Sequence, residues 1–186
     1  LNRIEGEIQF LTTGKAGSDT RRQFVQEYDG TAEAALVAVD LIETTRDVKA
    51  TTDRLDEFLR AHSGSVAGAK ALYRKGSLIS NSGLGMEPRG ADPTPRFLQV
   101  VAIVDELEGG QYPDCEWVRT APNLISGFFV SDSQPPQYAE GNLDRTLAEY
   151  SRFIDKHLDA NAPEDLFGSN ISYVITSKMG PLFQRK

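Results

Sequence analysis

The chain has 186 residues and a mass of 20.4 kDa, with 39% apolar and 25% charged residues. That length and composition suit one domain with its own core and exclude wholesale disorder. Its 20 basic and 27 acidic residues give a net charge of −7 and a pI near 4.9, which disfavours nucleic acid and anionic membrane surfaces as partners.

Residues 4–13 alternate in part, with Ile4, Ile8 and Phe10 on one parity, and predict a strand closed by Gly14. Ser18 or Asp19 caps a short helix bearing Phe24, Val25 and Tyr28 and ended by Gly30. Thr31 caps a second helix over 31–45, where Ala32, Ala35, Leu36, Val39 and Ile42 recur at helical spacing. Its Val and Thr content leaves a strand as the minority reading. A third helix covers 47–62, with Val48, Leu55, Phe58 and Leu59 as its apolar stripe. A fourth runs from Ser65 to about Lys75, carries Val66, Ala69 and Tyr73, and stops at Gly76.

Three glycines and three prolines make 80–95 a loop. It separates a helix-rich 1–79 from a strand-rich 96–186. RFLQVVAIVDEL is the strongest strand candidate, a nearly continuous apolar run of the kind covered on both faces. GGQYPD makes a turn. CEWVRTA and NLISGFFVSDS predict further strands with a tight connection at Pro122-Asn123, and SQPPQ is a stiff linker. Asn142 caps a last helix with Leu143, Leu147, Tyr150, Ile154 and Leu158 on one face. SNISYVITS alternates as a final strand, and the tail MGPLFQRK mixes apolar and basic residues. The expected architecture is a single α+β domain, residues 1–186, with helices on a mostly antiparallel sheet of four to five strands.

Reaction motifs are absent. Gly14-Lys15 lacks the glycine five residues earlier and the hydroxyl directly after that a phosphate loop needs, and Gly64, Gly68 and Lys70 are wrongly spaced. His62 and His157 close two helices without a second metal ligand at helical spacing. No Gly-x-Ser-x-Gly nucleophile frame occurs. The lone Cys115 excludes an internal disulfide and Cys-rich zinc motifs. No catalytic, cofactor or metal residue is assigned, and an enzyme is the less favoured class. No run approaches the ~18 apolar residues of a membrane helix, so a soluble protein is expected. Because the chain opens on Leu1, an organellar or exported form with its presequence removed is the expected origin.

Charge is uneven. Residues 97–165 carry 13 acids and 4 bases, while the last 21 residues carry three bases and no acid. From Phe58 to Met86 there is no acid, yet Arg60, Lys70, Arg74 and Lys75 are present. They read either as cations at their own helix C-terminus or as a face for an acidic partner, carboxylate or phosphate. The stretch from Asp105 to Glu116 reads as a solvated acidic turn. Tyr112, Tyr138, Leu182 and Phe183 sit beside Pro or Gly and are expected to be exposed anchors.

Three functions follow from these residues. The first is a non-catalytic structural or interaction subunit whose partners are other protein chains, suggested by the 80–95 loop, the uneven charge and the apolar-basic tail. The second is a small-molecule binder or enzyme for an anionic or aromatic ligand, with a pocket between sheet and helices around Trp117, Arg119 and Phe128. The third is an acidic inhibitor or immunity-type protein acting through 105–116.

Overall fold

The structure, a computed structural model, describes residues 10–11, 16–45, 47–81, 90–130, 136–158 and 171–185. Among them there are helices, turns and irregular segments, and no strand. The four- to five-stranded antiparallel sheet, and with it the α+β class, is therefore replaced by a helical architecture. Two compact units are present: residues 1–78 with 106–119, and residues 79–105 with 120–186.

In the first unit, α1 (Ser18–Glu27), α2 (Ala32–Leu41) and α3 (Val48–His62) lie where the sequence predicts them. Neither Ser18 nor Asp19 caps α1, whose N-cap is Gly17 with no side-chain hydrogen bond, whereas α2 and α3 start for local reasons. Thr31 accepts from the Ala34 amide at 3.1 Å, and Asp47 accepts from the Ala50 amide at 3.1 Å, each satisfying a first-turn donor that has no partner inside the helix. α4 (Val66–Asn81) begins with Ser65, whose hydroxyl accepts from the Gly68 amide at 3.0 Å. It continues through the buried Gly76 rather than stopping there. An interior glycine costs about 1 kcal/mol against alanine, which tertiary burial readily offsets. Val39, Leu55, Ala67 and Ala71 form a core cluster, with Ala35, Ile42, Phe58 and Leu59 packed against it. Leu11, Ala16 and Val37 form a second cluster.

The stretch read as the best strand is α5 (Thr94–Glu108). Its exposed positions, Pro95, Gln99, Ala102 and Glu106, recur every three to four residues. Between them Phe97, Val100, Val101, Ile103, Val104 and Leu107 are buried. Four of those six are β-branched, so propensity favours a strand while periodicity favours a helix, and periodicity prevails. Pro95 sits in the first turn, where its missing N–H costs nothing.

The next two expected strands are short helices, α6 (Glu116–Arg119) and α7 (Asn123–Ser126), after which Phe128–Val130 is irregular. α8 (Asn142–His157) matches the last predicted helix, with its buried face on Thr146, Leu147, Tyr150 and Phe153. That face lies about one residue off the predicted stripe, and Leu158 is 64% exposed. Gly141 precedes it at φ 77°, a left-handed conformation open to glycine. The Asn142 side chain does not cap α8; it donates to Asp92 Oδ2 at 2.6 Å.

The final strand is also a helix. Residues 171–173 lead into a π-helical turn, Val174–Met179, and then α9 (Gly180–Phe183). Ile171, Val174, Met179 and Leu182 are buried, at intervals of three, five and three. An ordinary α-helix would bring Ser177 or Lys178 beneath Val174. The wider π turn, bonded i to i+5, brings Met179 there instead.

Of the strand expected over 4–13, only Phe10 and Leu11 are described, and they are helical. Residues 82–89 of the expected loop, 131–133 of the expected strand NLISGFFVSDS and 133–135 of the SQPPQ linker lie outside the described residues, while Ser80 and Asn81 still belong to α4.

Candidate functional site

The basic residues of 60–75 do not share one open face. Arg60 is exposed, whereas Lys70 is 6% exposed. Lys70 Nζ donates to Asp40 Oδ2 at 2.7 Å and to the Leu36 carbonyl at 3.3 Å. Burial drives the Lys70 pKa down, and the Asp40 carboxylate opposes that without reversing it. Arg74 donates to the Val39 carbonyl, to the Ile42 carbonyl at 2.6 Å and to Thr44 Oγ1 at 2.8 Å. It thus satisfies carbonyls at the C-terminus of α2 rather than of its own helix. Lys75 pairs with Asp56 on α3 at 2.5 Å. Three of the four cations therefore latch α4 to α2 and α3.

Trp117 packs in the same unit. Its ring lies 5.7 Å from that of Tyr73, and Lys70 Nζ stands 5.6 Å from its centroid. Arg119 is exposed and pairs with Asp114 at 3.4 Å. Phe128 belongs to the second unit. With no sheet among the described residues, the expected pocket between sheet and helices has no such wall, and its three residues are divided between the units.

Two expected anchors are buried. Tyr112 is 8% exposed and hydrogen-bonds Glu106 Oε1 at 3.3 Å; burial, then the Glu106 charge, pushes its phenol up to about 12. Leu182 is likewise buried, because the helical turn carries it onto the same side as Val174 and Met179. Tyr138 is half-buried, and Phe183 is 57% exposed. The acidic stretch is partly engaged: Asp105 takes Arg152 at 3.0 and 2.7 Å and Lys156 at 3.4 Å. Burial opposes ionisation of Asp105, and those two cations overcome it and hold the carboxyl below its ordinary value.

Both histidines close their helices and pack against the phenylalanine four residues earlier, His62 stacked on Phe58 at 4.1 Å and His157 tilted against Phe153 at 4.7 Å. Among the described residues no group of three or more His, Cys, Asp or Glu is placed to hold a metal ion, and no helix is long and apolar enough to cross a membrane.

Two concave features are formed by described residues. In the first unit an open groove of about 550 Å³ runs along the N-terminal half of α2, between Val25 and Val66, with Asp29 and Glu33 in its lining. In the second unit a cavity of about 240 Å³ is lined by Phe97, Phe128, Tyr138, Tyr150, Tyr173 and Lys178 among others. Phe97 is its structural centre, 5.1 Å from the Phe128 ring and 4.5 Å from the Tyr150 ring. Arg96 fixes the adjoining backbone, donating to the carbonyls of Ile79, Ser80 and Phe129 at 3.1, 2.8 and 2.6 Å and lying 4.3 Å from the Phe128 ring.

Of this cavity the sequence singles out Phe128, as a pocket residue grouped with Trp117 and Arg119, and Tyr138 and Leu182, as exposed anchors. Tyr173 falls in the expected strand and Lys178 between that strand and the tail, so the sequence does not reveal that they share one helical segment. No protein-family model, no curated protein and no solved structure matches the chain.

Proposed function

We propose that the protein is a structural or interaction subunit of a larger protein assembly and docks through its C-terminal helical segment. The observation that supports this reading is the exposure of Ile175 (46%) and Phe183 (57%) on one continuous segment that otherwise buries Ile171, Val174, Met179 and Leu182 and also exposes Tyr173. Eight residues are roughly two helical turns, so the two side chains fall near one another in azimuth. Each side chain is about half exposed, so a covering surface would recover about half of the ~1.5–3 kcal/mol that full burial of such a residue is worth. The charge pattern adds a preference. From residue 166 onward there are three bases and no acid in a chain of net −7. The matching surface is an apolar groove with an acidic rim, presented by another protein chain.

The inhibitor reading through 105–116 has less support, since Arg152 and Lys156 already engage Asp105 and Tyr112 engages Glu106.

Light scattering on the protein isolated from its source tests the subunit reading. The expected particle mass exceeds that of one copy of the isolated chain, as read from the denatured protein, and the variant Ile175→Ser/Phe183→Ser returns it to that of one copy. A single-chain mass for the unaltered protein overturns the reading. So does an assembly that the double variant leaves intact.

A further inference from the structure

The cavity of the second unit carries a separate inference. We propose that it is a binding site for a single-ring aromatic carboxylate. Size, surface and charge each narrow the ligand.

A volume of about 240 Å³ is below the ~300–1,000 Å³ that accommodates drug-sized ligands, and above the ~150 Å³ apolar cavity that takes up benzene. One ring with one small substituent fits that range. The lining is rich in aromatic rings, Phe97, Phe128, Tyr138, Tyr150 and Tyr173, and a ring ligand gains from offset and edge-to-face contacts with such residues.

Charge selects the substituent. Lys178 and Arg185 belong to the described lining, and no Asp or Glu does. Lys178 Nζ is held in place by the Phe128 carbonyl at 2.5 Å and lies 5.6 Å from the Tyr173 ring centroid. Arg185 is exposed and acts electrostatically on Tyr138. The carboxylate that also acts on Tyr138 is Asp92. Its oxygens are already taken by the Thr94 and Ala139 amides, each at 2.9 Å, and by Asn142 Nδ2 at 2.6 Å. Aromatic cages also hold quaternary ammonium groups. Here Arg185 in the lining would repel such a ligand and attract an anion. The π turn contributes as well, because it presents Lys178 to the cavity while keeping Met179 in the core.

This site stands apart from the docking reading, which uses Ile175 and Phe183; neither of those is in the described lining. Ligand-observed NMR on the full chain provides the test, with benzoate, acetate, toluene and choline as probes. Benzoate is expected to bind saturably in the millimolar range or below, more tightly than acetate, toluene or choline. Arg185→Gln is expected to weaken benzoate about tenfold, the scale of one charge-assisted hydrogen bond. Ser177→Phe, which places a ring in the cavity from an exposed position, is expected to abolish binding. Both altered residues are exposed, and unchanged far-ultraviolet dichroism verifies that the variants fold. No saturable benzoate binding through about 10 mM overturns the proposal. Equal binding of toluene, tighter binding of choline, or benzoate binding untouched by Ser177→Phe does the same.

Discussion

Lys70 and Asp40 are an unequal pair: the lysine side chain is 7% exposed and the aspartate 20%. An ammonium so enclosed persists because a carboxylate 2.7 Å away and the Leu36 carbonyl replace the water it gave up. Lys70→Met is therefore expected to cost about 1–3 kcal/mol, mainly by leaving the Asp40 charge without its partner. Lys70→Met/Asp40→Asn should recover most of that loss. Urea unfolding curves of the two variants and the parent check this, and a single variant as stable as the parent would show that the pair contributes nothing. The cluster of bases was legible in the sequence, but its purpose was not. Asp40 stands 30 positions before Lys70, and the carbonyls that Arg74 satisfies stand 32 and 35 positions before it. No local pattern joins such residues.

Helix starts are a different case, because their causes lie within three or four residues. Thr31 and Asp47 cap in the structure as their positions suggest, and Ser65 initiates α4. The turn before α4 is tight. A Cβ on Gly68 would stand 2.2 Å from the His62 carbonyl oxygen, which is backbone and cannot swing away. Gly68→Ala is expected to destabilise the protein by about 1–3 kcal/mol despite alanine's better helix propensity. Gly17→Ala, where an added Cβ meets nothing within 4 Å, is the matched control in the same urea assay. Element type was misread in the second half of the chain because two local signals conflict there. In α5 the β-branched Val100, Val101, Ile103 and Val104 speak for a strand, and the three- to four-residue recurrence of exposed positions speaks for a helix. In the last segment the five-residue step from Val174 to Met179 fits neither template, since only a π turn produces it. The cavity was illegible for the same reason, as its lining comes from residues whose shared helix was not recognised.

At the scale of the whole molecule, the second unit carries a defined acid sensitivity. Burial opposes ionisation of Asp92, but its bonds from Asn142 and from the Ala139 and Thr94 amides prevail, and the carboxyl lies below its ordinary value of 3.8. Asp105 behaves alike through Arg152 and Lys156. A carboxyl depressed by folding contributes stability that is fully present above the unfolded value and is lost as pH falls through the folded value. The melting temperature is thus expected to show little dependence on these two groups above about pH 4 and to fall below it. Asp92→Asn/Asp105→Asn should flatten that acid limb while lowering stability at neutral pH. Asp105 is 42% exposed, so solvent screening leaves Asp92 the larger contributor. An acid limb of unchanged slope in the double variant would assign the sensitivity elsewhere.

Trp117 is the chain's only tryptophan, and it lies in the first unit beside Lys70 and Tyr73. Red-edge emission therefore watches the first unit, while the tyrosines, three in each unit, and the helical dichroism report on both. The chain thus carries a natural optical label that discriminates between its halves. Superimposing the two signals during a single melt reads out the cooperativity between them with no engineered dye.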